Sequence, residues 1–321
     1  MRLALMIEPQ QGLSYAEQLA VAQHVEAAGL EALFRSDHYT SFPGPDDNPT
    51  TDAWAVLAGL ARETSRIGLG ALVSPVTFRV PGNIAKVAAT VDEMSGGRVE
   101  LGLGAGWNEV EHRRYGLPFP PIGERAEMLE ETLEIVRGLW DEPDGWSFEG
   151  RHWRIEDARY RPKPSSLPER RGGRPRIIVG GEGSPRSLRI AARYADEFNV
   201  TSSAPDKVRE TYGRLDEACR AIGRDPSTIS RSTMVGVLIG ADEAEVQRRG
   251  TALREALGTG DAGDDWLEQR RGRWIVGTPD EARDAVARFA DTGAERIMLQ
   301  DFVPRDLEMI DLIGRELVGR V

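Results

Sequence analysis

Apolar positions along the chain switch repeatedly between two periods. Short, nearly continuous apolar runs occur at 2–7, 31–35, 67–73, 99–103, 176–179, 197–200, 233–239 and 296–300. Their lack of alternation predicts strands buried on both faces, as in parallel sheets. Between them lie stretches with apolar positions three and four apart, which predict amphipathic helices. One carries Leu19, Ala22 and Val25 behind Ser14 and closes at Gly29; another starts at Thr51 or Asp52. A third carries Ile84, Val87, Ala88 and Val91 and stops at Gly96-Gly97; a fourth spans 124–139 with Met128, Leu129, Leu133 and Val136, its stripe running on to Trp140. Further helices follow Ser184-Pro185, cover 206–222 and 242–257, and open at Thr278-Pro279. Serine or aspartate before, proline in the first turn and glycine after are the expected boundary signals.

Eight strand–helix units in one chain predict an α/β fold, a (β/α)₈ TIM barrel, with residues 1–321 as a single domain. Two stretches break the alternation. Residues 143–175 hold a hairpin-like patch, WSFEGRHWRIED, and a connection rich in proline and arginine; residues 258–273 are rich in Gly and Asp around Trp266. Both read as insertions on the barrel, and both are expected to shape a substrate pocket.

Composition narrows the function classes. The 321 residues carry a net charge of −11, against nucleic acid or an anionic membrane as the main partner. Cys219 is the one cysteine, so no internal disulfide forms, and it suits a reducing compartment. The short run after Met1 reads as a strand and not a signal peptide, and no apolar stretch reaches membrane-spanning length. A soluble, cytoplasmic protein is expected.

Candidate chemistry clusters at strand ends, where α/β barrels keep their sites. Gly180-Gly181-Glu182-Gly183-Ser184-Pro185 lets backbone N–H groups converge on an anion at a helix start, or makes a tight turn with a good cap. Asp37-His38, after the second strand, suits an acid–base pair or contacts to a cofactor ring; alternatively it is a capping Asp beside a surface His. Leu72-Val73-Ser74-Pro75 ends the third strand abruptly, as ordinary proline punctuation or as a bulge with a non-prolyl cis peptide. The fourth strand ends in Gly104-Ala105-Gly106-Trp107-Asn108; Asn suits a polar cofactor edge and Trp a pocket wall. Glu111-His112 invites a metal, but the other histidines are scattered and HExxH is absent, so no metal is expected. GxSxG and Walker motifs are absent, and GLGAG (102–106) lacks the dinucleotide context. Tyr39, Phe42, Trp107, Trp153 and Trp266 are candidate cavity walls.

The run from Ser65 to Trp140, with SDHY (36–39), IIVGGEGSPRSLRIAARYADEFN (177–199) and VGTPDEARDAVARF (276–289), strongly resembles the luciferase-like monooxygenase superfamily. It is most similar to the branch of oxidoreductases that depend on the deazaflavin coenzyme F420. The resemblance implies a barrel with insertions, usually a homodimer, acting on a small-molecule substrate. It implies that Asp37 and His38 contact the ring and that Leu72–Val73 is the cis peptide backing it, beside Ser74. It further implies that Gly104, Gly106 and Asn108 lie beside the ring and its tail, and that Gly180, Gly181, Gly183 and Ser184 seat the tail phosphate. The expected reaction is hydride transfer between deazaflavin and substrate, with His38 moving the proton and Asp37 fixing its orientation. Two alternatives remain: an FMN-dependent monooxygenase using reduced flavin and oxygen, and a flavin-binding barrel without catalysis.

Overall fold

The computed structural model describes residues 1–164, 173–260 and 264–321. The rest of the two insertions, 165–172 and 261–263, lies outside the described residues. Eight parallel strands close a barrel: β1 (Arg2–Ile7), β2 (Ala32–Arg35), β3 (Gly68–Pro75), β4 (Val99–Gly104), β7 (Arg176–Gly181), β8 (Glu197–Thr201), β9 (Ser230–Ile239) and β11 (Arg296–Asp301), which returns to β1. Two strands not in the barrel, β5 (Trp146–Glu149) and β6 (Arg154–Ala158), form the antiparallel hairpin. A short strand that the apolar pattern did not predict, β10 (Ile275–Gly277), pairs with the upper end of β9.

The helices are α1 (Tyr15–Ala27), α2 (Ala53–Glu63), α3 (Pro81–Ser95), α4 (Glu109–Tyr115), α5 (Ile122–Asp141), α6 (Pro185–Tyr194), α7 (Pro205–Ala221), α8 (Glu243–Ala256), α9 (Glu268–Arg271), α10 (Pro279–Ala290) and α11 (Leu307–Glu316). Ser14 caps α1 with a capping box to Glu17, and Asp52 caps α2 by accepting from Ala55 N. Gly96 ends α3 at φ 71°, a left-handed turn that glycine adopts without a Cβ penalty. Outward-facing apolar side chains such as Leu5, Ile7, Leu33, Leu101 and Val179 pack against this helical ring in one continuous core.

Inside the barrel, side chains stack in three tiers. At the foot, Arg296 is fully buried and pairs with Glu100 (3.0 and 2.7 Å) and Glu197 (2.7 to 3.2 Å). Burial opposes its charge, but the two carboxylates outweigh burial and hold the guanidinium far above its ordinary pKa. The middle tier is apolar: Ala4, Met6, Ala32, Phe34, Leu72, Ile178 and Met298, with Val73 and Met234 at its edge. Above it, at the C-terminal mouth, Glu8 accepts from Gln10 Nε2 (2.8 Å) and Gln300 Nε2 (2.6 Å), and Gln10 Oε1 accepts from Ser36 (2.5 Å).

Outside this stack, Asp301 at the end of β11 is completely buried. Its Oδ1 accepts from Val303 N (2.8 Å), and among the described residues Oδ2 has no hydrogen-bond partner. Burial, with Asp306 nearby, pushes its pKa up to about 7. An unfolded chain ionises aspartate near pH 3.9, so between roughly pH 4 and 7 the folded protein holds one proton more than the unfolded one. Stability therefore falls across that window as pH rises. Asp301→Asn is expected to remove that slope, read as Tm against pH; an unchanged slope would place the titration elsewhere.

The hairpin corrects one expectation. Glu131 of α5 accepts the backbone N–H groups of Arg151, His152 and Trp153, and Trp146 lies against Gly138. Tyr160 donates to Ala85 O of α3 (2.7 Å). The described part of the first insertion thus packs on the outer faces of α3 and α5, where its aromatic face finds burial. Trp153, expected as a cavity wall, packs with it against the core. The second insertion starts at the rim with Gly258 and ends just before Trp274. Trp274 lies over inward-facing Gly236, where a Cβ would meet the indole at 2.2 Å, and stacks on Phe302 at 5.6 Å. Trp266 is buried behind it against Arg270. Across the rim Gly258 touches Gly44, joining the turn after α8 to the loop after β2.

Candidate active site

β2 ends in Arg35-Ser36-Asp37-His38. Neighbouring residues in extended chain point to opposite sides, and the two candidate groups part accordingly. Asp37, 1 % exposed, accepts from Ser74 Oγ (2.7 Å) and Arg79 (2.6 Å). Arg79 also binds Asp52, which takes the Tyr39 hydroxyl at 2.8 Å, and Ser74 accepts from the Trp54 indole. Burial would lower the Arg79 pKa, but Asp37 and Asp52 outweigh it and raise it. For Asp52 burial acts upward, and the Ala55 N–H with Arg79 and Tyr39 reverses it to a net lowering. Asp37 is therefore the buried anchor joining β2 to β3, and the expectation that it orients His38 does not hold.

Glu111 takes that place. It is 1 % exposed on α4 and meets His38 Nδ1 at 2.9 and 3.1 Å, while Tyr39 N donates to it at 3.1 Å. A carboxylate on Nδ1 selects the tautomer that carries its proton there and leaves Nε2 as the acceptor. No hydrogen bond to Nε2 occurs among the described residues. Phe42 (4.5 Å) and Trp107 (5.8 Å) set their rings edge-on to the imidazole, and Trp107 is two-thirds exposed. Tyr39 instead stacks on Phe78, away from this pair.

Asn108 caps α4 by accepting from Val110 N (3.2 Å), and its amide reaches Thr40. His112, one turn on, is completely buried between Asn108 O and Thr77 Oγ1, each 2.6 Å away. The loop after β4 is thereby fixed, and Asn108 and His112 serve that geometry. Gly106, at φ 78°, lies against Thr77 and Pro75. The sequence marked Glu111 only as half of a Glu-His pair inviting a metal; neither α4 nor the contact with His38 was read from it. Asn108 before and Gly116 after the short polar EVEHRRY are cap signals that could have located the helix.

The Leu72–Val73 peptide is cis, and the β3–β4 register shifts between Ala71 and Ser74. Val73 stays half-buried on the inner face, where Cβ atoms on Gly102, Gly104 and Gly180 would fall 3.2, 2.6 and 3.1 Å from its methyls. Three glycines, two on β4 and one on β7, thus clasp one apolar group. A Cβ on Gly181 would meet Ser187 first, at 3.8 Å, and Gly183, at φ 82°, sits against Thr211. Ser184 accepts from Ser187 N (3.1 Å) and opens α6 beside them. Unsatisfied first-turn N–H groups of a helix favour an anion. An apolar platform, a histidine with one open nitrogen and a glycine loop at a helix start fit a flat ring with a phosphorylated tail.

Comparison with known proteins decides the family. The profile described as luciferase-like monooxygenase matches residues 1–296. The chain belongs to that family. Its relatives include the F420-dependent glucose-6-phosphate dehydrogenase of Microbacterium testaceum, 27 % identical over 92 % of this chain and 90 % of that one. They also include the pyrimidine monooxygenase RutA of Allorhizobium ampelinum, 26 % identical over 92 % of this chain and 76 % of that one. Among solved structures, an F420-dependent secondary alcohol dehydrogenase bound to an F420–acetone adduct superposes with TM-score 0.82 at 20 % identity, covering 99 % of this chain and 98 % of that one. The monooxygenase RslO1 of Streptomyces bottropensis gives 0.82 at 22 % identity, with 99 % of each chain covered. At such identities the superpositions show the fold of this family member. Among the described residues no helix is long and apolar enough to cross a membrane.

Proposed function

We propose that this protein is an oxidoreductase that moves a hydride between the deazaflavin coenzyme F420 and a small organic substrate. The observation that carries the reading is the His38–Glu111 pair beside the glycine-clasped Val73 platform. When bound, the coenzyme supplies the hydride acceptor or donor, and the protein supplies position and a proton path. Val73 with Gly102, Gly104 and Gly180 would back the ring, and the 180–184 loop with α6 would hold the tail phosphate. As an alcohol is oxidised, its C–H bond breaks and the hydride leaves with both electrons. The hydroxyl proton passes to His38 Nε2, and a carbonyl remains. In reduction His38 returns that proton to the carbonyl oxygen. Glu111 holds the imidazole in place and balances its charge when it is doubly protonated.

Titration of the purified protein with F420 and with FMN, followed by fluorescence, tests the cofactor. Saturable F420 binding with weaker or no FMN binding is expected; the reverse would favour the flavin monooxygenase reading, which similarity to RutA keeps as the second candidate.

Glu111→Gln is expected to lower kcat at least about 10-fold with cofactor affinity retained. Because it acts through His38, the double variant with His38→Ala should be no slower than His38→Ala alone. A further large loss in the double variant would give Glu111 a separate role.

A further inference from the structure

We infer that Glu8 selects the substrate, and that the substrate is uncharged and offers a hydroxyl or N–H to this carboxylate. The inference rests on the hydride-transfer reading above and concerns the half of the mouth that reading leaves unused. His38, Val73 and the glycine loop belong to β2, β3, β4 and β7. The other half, built by β8, β9, β11 and β1, ends in a polar floor under an aromatic wall.

The floor is the upper tier of the barrel. Glu8 follows β1 on the inward face of Ala4 and Met6, one step above the apolar tier, and is 7 % exposed. Gln10 and Gln300 each give it one N–H, at 2.8 and 2.6 Å. Among the described residues no lysine, arginine or histidine forms an ion pair with it. A carboxylate accepts about four hydrogen bonds, so two lone-pair positions remain for a ligand. Ser202, at the end of β8, holds φ 38°, left-handed and uncommon for a residue other than glycine, and its Oγ lies 3.5 Å from Gln300 Oε1. Such outliers gather at functional sites. Above the floor, Trp274 and Phe302 stack beside Gly236 as an apolar wall.

Folding alone would fill this tier with apolar side chains, as it fills the tier beneath. A nearly buried carboxylate with only amide donors instead suits a neutral molecule that donates to it, and disfavours a phosphate or carboxylate brought alongside. Arg79, the cation nearest Asp37, is already committed to Asp37 and Asp52. The matching ligand has an apolar body for the aromatic wall and one or more donor groups for Glu8.

The test uses the protein loaded with F420, with saturation checked first by fluorescence. Cyclohexanol and cyclohexyl phosphate are then titrated, and binding is read from the fluorescence of the bound coenzyme, independently of turnover. Cyclohexanol should bind at least about 10-fold more tightly than the phosphate ester, and Glu8→Gln should weaken it about 10- to 100-fold with the F420 binding curve unchanged. The wild-type comparison needs no variant to fold. Equal binding of the two probes, preference for the phosphate, binding of neither, or a Glu8→Gln protein that binds cyclohexanol normally would each overturn the inference while leaving the hydride-transfer reading intact. Failure to bind F420 at the outset would overturn both.

Discussion

His38→Ala is expected to lower turnover at saturating cofactor by about 100-fold or more, with cofactor binding retained. Positioned general acid–base groups contribute typically 10² to 10⁴ in rate. The structure supplies each requirement for this one: Glu111 fixes Nδ1 at 2.9 Å, Phe42 and Trp107 confine the ring plane, and Nε2 is left for the substrate. The platform at Val73 and the 180–184 loop belong to other strands, so removing the imidazole leaves them in place. Single-turnover measurement of hydride transfer, alongside a fluorescence titration of the cofactor, separates the two effects. A variant that binds cofactor poorly yet reacts at the wild-type rate once saturated would make His38 a binding group and not the proton carrier.

Arg296→Met is expected to destabilise the fold by about 3–5 kcal/mol, because removing one partner of a buried ion pair leaves its counter-charges in low dielectric. Glu100 and Glu197 would then sit at the foot of the barrel without the guanidinium they share. For a chain of this size the loss corresponds to a fall in Tm of about 4–7 °C. The triple variant Arg296→Met, Glu100→Gln, Glu197→Gln removes the charges together and should recover much of that loss. If the single variant melted within a degree or two of the wild type, the cluster would carry little of the stability assigned to it.

The barrel was legible in the sequence because its signals are local. Buried parallel strands show as unbroken apolar runs, and helix ends show as Ser14, Asp52, Gly96 and Pro185. The glycine run at 180–183 likewise marks itself by composition, and Gly183 alone of the three holds a left-handed φ. Two features of the site left no local trace. Glu111 reaches His38 across 73 positions, and Arg79 reaches Asp37 across 42. Long-range polar pairs of this kind follow from how the loops fold over the strand ends, which no periodicity encodes. Adjacency in sequence misled at Asp37 and His38, where extended backbone turns one carboxylate down to Ser74 and the imidazole up to Glu111. The same holds for the insertions: composition marked both as irregular, but not where their aromatic faces find burial.

The barrel is stoppered at its foot by Arg296 and its two carboxylates, with the apolar tier of Met298 above them. A reactant reaching the strand ends and a product leaving them therefore share the mouth, whose rim includes the contact between Gly44 and Gly258.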